Sequence, residues 1–193
     1  MKVKFKIGLH RPIFFALCAC LLACASVAPT TLAHMSVAKL THVSRLILRA
    51  RCVENSTAWD AGEIWTFTTS EPTEVWKGSA PRRVSVRLLG GRIGNLTSNV
   101  SGVPRFHAGE DVVLFLTPTT LGDFSVVSWV QGTFRIHHDQ RSGEDMAAQD
   151  SASFETFDPF TRKFAASGIH DLSLQELRSQ VAAALRQEPG AQK

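Results

Sequence analysis

The sequence predicts an all-β protein with flanking helices, its five to six short strands forming a barrel or a sandwich. Three observations carry that expectation. Apolar and polar residues alternate with period two in several runs between Leu46 and His137. Glycine- and proline-containing turn sequences separate those runs at regular intervals. Helical spacing of apolar residues is confined to the two ends of the chain. A barrel with helical covers is favoured over a sandwich, because it removes exposed strand edges in a domain without disulfides.

The first 33 residues read as an export leader. Lys2, Lys4, Lys6 and Arg11 form a basic start, Ile13 to Ala28 is an uncharged apolar run of 16 residues, and Pro29 to Ala33 is a short polar end. That order predicts a secretory signal peptide over 1–33, cut between Ala33 and His34. Ala23-Cys24-Ala25 is a second cleavage motif. Leu17-Cys18-Ala19-Cys20 and Leu21-Leu22-Ala23-Cys24 look like lipoboxes, so Cys20 or Cys24 is the place where lipidation would tie the protein to a membrane. Sixteen apolar residues fall short of the ~20 that span a bilayer.

Removing the leader changes the composition. It holds four of the 21 Lys+Arg and none of the Asp+Glu, so the formal charge of +4 falls to zero. A global field drawing nucleic acid or anionic lipid is therefore not expected. Only Cys52 of the four cysteines remains, so no intrachain bridge can form. About 160 residues are left, enough for one core of ordinary size.

The elements follow in order. Ser36 caps a short helix with Val37 and Leu40 on one side. In the run from Leu46 to Val53, Leu46, Leu48, Ala50 and Cys52 share one face and Arg49 and Arg51 the other. The second strand runs from Glu63 to about Ser70, and Pro72 marks a bulge or an edge. The third alternates Val84, Val86 and Leu88 with Arg83, Ser85 and Arg87 and ends at Gly90-Gly91. Gly94 to Pro104 lacks an apolar stripe and reads as a loop or weak excursion. Asp111 to Leu116 is apolar enough to be buried on both faces. Strands at Phe124–Val130 and Thr133–His137 follow, with Gln131-Gly132 as a hairpin turn or bulge between them. Segment 138–170 is polar and irregular, its Phe154, Phe157, Phe160 and Phe164 packing back onto the barrel. The capping box Ser173-Leu174-Gln175-Glu176 opens an amphipathic helix within 171–187, with Leu174, Leu177, Val181 and Leu185 as its stripe, and 188–193 is a tail.

Three pieces carry a resemblance: Ser44 to Arg51, Thr73-Glu74-Val75-Trp76-Lys77-Gly78, and Ala108 to Leu116. Together they resemble the netrin-like, or tissue-inhibitor-of-metalloprotease-like, version of the OB-fold over roughly Leu40 to His137. The chain is also similar to uncharacterised exported bacterial proteins. The resemblance implies an OB-like barrel over 34–137. Inhibitors of that family chelate a protease zinc through an N-terminal cysteine and are stapled by disulfides; this chain has neither feature, so no functional residue is carried over.

No catalytic motif stands out. His34, as a mature N-terminus, would offer an amine and a ring to copper or zinc, with His42, His107, His137, His138 or His170 as the further ligand, although no spacing selects among them. His137 and His138 point to opposite strand faces and are poorly placed to share a metal. Cys52 faces inward, where a thiol is inert. Arg49, Arg51, Arg83 and Arg87 alternate outward, forming either a basic ligand-binding patch near Trp76 or a solvated face balanced by glutamates. The sequons at Asn55, Asn95 and Asn99 count only in a eukaryotic secretory pathway. The sequence thus predicts a monomeric, non-enzymatic binding or structural module of the bacterial envelope, periplasmic or secreted, without cofactor or nucleic-acid partner. A metal-binding protein using His34 and a protease inhibitor by fold analogy are the alternatives.

Overall fold

The computed structural model describes residues 33–153, 155–158, 162–166, 168–170 and 172–187. The expectations for leader residues 1–32, for Phe154 and Phe160, and for the tail from 188 lie outside them. Among the described residues the architecture is mostly β-sheet flanked by two helices, α1 (Val37–Val43) and α2 (Leu174–Arg186). Neither is long and apolar enough to cross a membrane.

Helix α1 starts where expected, with the Ser36 hydroxyl accepting the Lys39 N–H at 3.2 Å. It buries Val37, Leu40 and Thr41. Strands β1 (Leu46–Asp60) and β2 (Glu63–Lys77) form a hairpin of two 15-residue arms. Both arms are longer than the sequence predicts. Glu54 to Asp60 has no alternating apolar face, since this end of the hairpin is largely exposed and its backbone ladder alone defines it. A two-residue turn joins the arms, with Ala61 at φ +50° and Gly62 at +83°, matching the right-handed twist of the strands. Pro72 does mark a bulge: Arg49 lies opposite Glu74 and Ala50 opposite Pro72, leaving Thr73 as the extra residue.

After β3 (Val84–Leu89) comes a small hairpin, β4 (Gly91–Ile93) with β5 (Leu96–Ser98), whose second strand lies in the stretch expected to be a loop or weak excursion. Strand β6 (Asp111–Pro118) is the axis of the fold, buried on both faces from Val112 to Leu116. One of its edges pairs with β1. The other is shared by β7 (Phe124–Val126), beside Leu116–Pro118, and β8 (Thr133–Asp139), beside Val112–Leu114. The expected hairpin at Gln131-Gly132 is therefore corrected. Strand β7 stops at Val126, Ser128 and Trp129 turn the chain at φ of +50° and +49°, and Trp129–Gly132 is a short 3₁₀ turn.

The main sheet runs β1-β2-β3-β7-β6-β8 and continues through β9 (Glu144–Gln149) to β12 (Leu172–Ser173), with β6 pairing back to β1. Its only parallel contact, among the described residues, joins β3 to β7 at Val86 and Phe124. The described parts of segment 138–170 are more regular than expected. They continue β8, return as β9 and include β10 (Glu155–Asp158) with β11 (Lys163–Ala166). Phe157 and Phe164 are register partners on those last strands, and where their side chains pack lies outside the description. Strand β12 (Leu172–Ser173) leads into α2.

Two apolar clusters share β6. Leu46, Leu48, Ala50 and Cys52 meet Val84, Val86, Leu88, Val112, Leu114 and Leu116 in one. Ile47, Val113 and Phe115 meet Leu40, Phe134, Leu177 and Val181 in the other, beneath the helices. Helix α2 buries Leu177, Val181 and Ala184, whereas Leu185 from the expected stripe is 42% exposed. One turn past Val181, Ala184 rather than Leu185 comes round to the covered side.

Burial pushes the Cys52 thiol up to about 11. The expected result is that iodoacetamide leaves Cys52 unmodified in the native protein at pH 8 and labels it fully in denaturant, the folded thiolate fraction being lower by on the order of 100-fold. Rapid native labelling of the peptide that contains Cys52, read by mass spectrometry after digestion, would place Cys52 elsewhere.

Candidate functional site

A groove of about 730 Å³ lies where the end of β2, the β8–β9 turn and the start of α2 converge. Each wall has a local cause. On β2, Glu74 and Trp76 are two residues apart and so share one face of the strand. The β8–β9 turn is shaped by Asp139, whose carboxylate accepts the N–H groups of Arg141 and Ser142 and the Ser142 hydroxyl. The hydrogen bond from Arg141, followed by those from Ser142, holds Asp139 below the usual carboxylate range. Glu144 and Asp145 emerge from that turn. On the third side the Ser173 hydroxyl accepts the Glu176 N–H at 3.1 Å and fixes where α2 begins, which sets Leu174, Gln175 and Arg178 along the groove.

The charges are linked in a chain. Glu74 accepts the indole N–H of Trp76 at 3.1 Å and meets Arg178 at 3.0 Å and Arg49 at 3.6 Å. The Arg178 guanidinium lies 5.9 Å from the Trp76 ring centre. Behind the groove Arg49 grips Asp111 through Nε and Nη2, at 2.6 Å for the shortest contact, and reaches Asp145 at 2.9 Å. Asp145 in turn lies 3.2 Å from His138 Nδ1. The hydrogen bond with Asp111 raises Arg49 further above its ordinary value, and those with His138 and then Arg49 hold Asp145 below its own.

The outward arginine patch predicted from sequence is not assembled. Arg49 alone comes near Trp76, and Glu74 lies between them. Arg51 is exposed on β1, opposite Glu71 and Asp111 in register. Arg83 is exposed and paired with Glu71 at 3.1 Å. Arg87 is the clearest correction: it lies under the rings of Trp65 at 4.0 Å and Phe67 at 5.6 Å and is paired with Asp60 at 2.6 Å. Alternation put it opposite Val86 and Leu88 as expected, but the aromatic residues of β2 cover that face. His34 is exposed, and no group of three or more His, Cys, Asp or Glu that could hold a metal occurs among the described residues.

Sequence reasoning missed Glu74, Glu144, Asp145 and Arg178. The i, i+2 relation of Glu74 to Trp76 was the available signal. No spacing links Asp145 or Arg178 to them, because Asp145 meets Arg49 across 96 residues of chain and Arg178 meets Glu74 across 104.

A second network lies around Glu110, which pairs with His107 at 2.9 Å and Arg135 at 2.7 Å, while Arg135 also holds Asp150. Burial pushes Glu110 up, but the hydrogen bonds from His107 and Arg135 outweigh it and the carboxyl lies below its ordinary value. A carboxylate depressed on folding contributes stability that is full above its unfolded pKa, roughly 4.3 for Glu, and is lost as pH falls through the folded value. Thermal stability is therefore expected to hold from pH 7 to 5 and to drop below about pH 4.5, with a shallower drop in Glu110→Gln. A melting-temperature series in both proteins checks this; parallel curves would remove Glu110 from the explanation.

No known family model matches the chain, and no curated protein is significantly similar to it.

Proposed function

We propose that the chain is an exported, non-enzymatic binding module of the bacterial cell envelope, built on an OB-like barrel, which seats a basic side chain of a partner polypeptide in the groove around Trp76. The observation that carries this is the groove's lining: an indole with three carboxylates, Glu74, Glu144 and Asp145, against one guanidinium, Arg178. A cation is drawn to the face of an indole and to a carboxylate rim by the same sign of potential. Glu74 and Asp145 already hold guanidinium partners, which suits them to recognition rather than to accepting a substrate proton. The basic patch expected for an anionic partner is replaced by a groove of the opposite sign.

The barrel rests on pairing order. The run β1-β2-β3-β7-β6 returns to β1, and β3 meets β7 in parallel. That order of five strands supports an OB-like arrangement, the architecture in which a sheet curls round on itself. Export rests on the charge and apolar pattern of residues 1–33.

The test is a titration of the labelled protein with a lysine-rich and a glutamate-rich peptide, read at the indole N–H resonances. The lysine-rich peptide is expected to shift the Trp76 signal saturably and less so at high salt. Trp76→Ala is expected to weaken binding about 10-fold, the scale of a partly desolvated cation–π contact. No shift, or an equal response to both peptides, would remove the proposal.

A further inference from the structure

The peptide that joins the leader to the folded body is gripped by a buried side chain. Gln131, in the 3₁₀ turn before β8, is 1% exposed. Its Oε1 accepts the Met35 N–H at 2.7 Å, and its Nε2 donates to the Ala33 carbonyl at 2.8 Å. The other Nε2 hydrogen goes to the Ser128 hydroxyl at 2.9 Å. The carbonyl of one residue and the N–H two residues later point to the same edge of an extended chain. The Gln131 amide thus meets the main chain on both sides of His34 as a neighbouring strand would. Ala33 also makes a β-bridge, and Met35 packs against the cluster beneath the helices. Gln131 is itself fixed from behind, its main-chain carbonyl accepting Gln149 Nε2 at 2.6 Å.

A cut between Ala33 and His34 would take the Ala33 carbonyl away. One N–H of a buried amide would lose its acceptor, and a new ammonium would form one residue from the Met35 contact. Buried polar groups are rarely left unpaired, because their hydration is not recovered. Ala33 therefore behaves as a residue of the folded domain rather than as the last residue of a discarded leader.

We infer that the leader is removed on the N-terminal side of Ala33, and that Ala33 stays in the exported protein as the acceptor for Gln131. The inference rests on the export proposed above. The step is a hydrolysis: water adds to the carbonyl carbon on the leader side, the C–N bond breaks, and the following residue becomes an α-ammonium. Ala23-Cys24-Ala25 supplies small residues for such a cut upstream. The His34 nitrogen then remains in a peptide bond and offers no amine to a metal, which removes the N-terminal histidine chelate as a role.

The experiment is to express the full chain with its own leader in a bacterium, fractionate the cells and measure the intact mass of the product. A mature terminus at or before Ala33 is expected. A terminus at His34 or later, in an exported product, overturns the inference and leaves export standing. A cytosolic product that retains Met1 overturns the export proposal and the inference with it. Hydrogen exchange on the exported protein gives an independent check. The Met35 amide is expected to be protected at least about 100-fold, with the protection lost in Gln131→Ala; an unprotected Met35 in the unsubstituted chain overturns the grip.

Discussion

Phe115→Ala is expected to destabilise the domain by about 3–5 kcal/mol, the range for emptying an aromatic site in a packed core. For a domain of this size that is a fall in Tm of roughly 6–20 °C. Phe115 is fully buried, on the face of β6 that looks toward the helices. Its ring centre lies 5.7 Å from that of Phe134 at an angle of 46°, so truncation removes an aromatic contact as well as volume. Main-chain bonds on both edges of β6 hold the walls of the cavity apart and limit collapse. Leu185→Ala is the control. Its side chain is 42% exposed, and the loss there is expected to stay within about 0.5 kcal/mol. Urea unfolding followed by circular dichroism measures both. Similar losses would mean that the second cluster is not packed as described.

Gly132→Ala is expected to cost about 3 kcal/mol for a different reason, overfilling rather than emptying. A Cβ at this position would collide with the carbonyl oxygen of Val127, and a Val126 methyl lies at 3.0 Å. The first obstacle is backbone, and the Val127 N–H is itself committed to the Phe115 carbonyl at 2.8 Å. Neither neighbour can swing aside as the end of a long side chain would. Gly62 provides the contrast: nothing lies within 4 Å of its Cβ position, and only its φ of +83° resists substitution. Gly62→Ala should cost about 1–2 kcal/mol, the strain of a left-handed alanine. Equal losses at the two sites, measured by thermal unfolding, would remove the close approach at Gly132 as the cause.

Much of the fold was legible because it is written locally. Ser36 and Ser173 cap the helices they were expected to cap, and the alternation of Leu46, Leu48, Ala50 and Cys52 gave the inward face of β1. The unbroken apolar run of β6 signalled burial on both sides, and both sides are buried. What failed depended on partners distant in sequence. Glu54 to Asp60 forms strand through its ladder to β2, with no pattern of its own. β7 and β8 looked like a hairpin because they are adjacent in the chain, yet each pairs with β6. The candidate site suffered most. Alternation correctly placed Arg87 opposite the core, but it carries no information on what covers that face, and here it is Trp65 and Phe67. The groove was invisible because three separate elements make its walls.

Strand β1 has β2 along one edge and β6 along the other, and the second pairing joins Leu46 to Leu116 across 70 residues of chain. During synthesis at about 5–20 residues per second, the rear edge of β1 therefore waits roughly 3–14 s for its neighbour to be made. Strand pairing over that distance also places the protein among slow, milliseconds-to-seconds folders. The newborn chain accordingly passes through a stage with an open, partnerless row of amide groups, and that stage is when a holding chaperone has something to grasp.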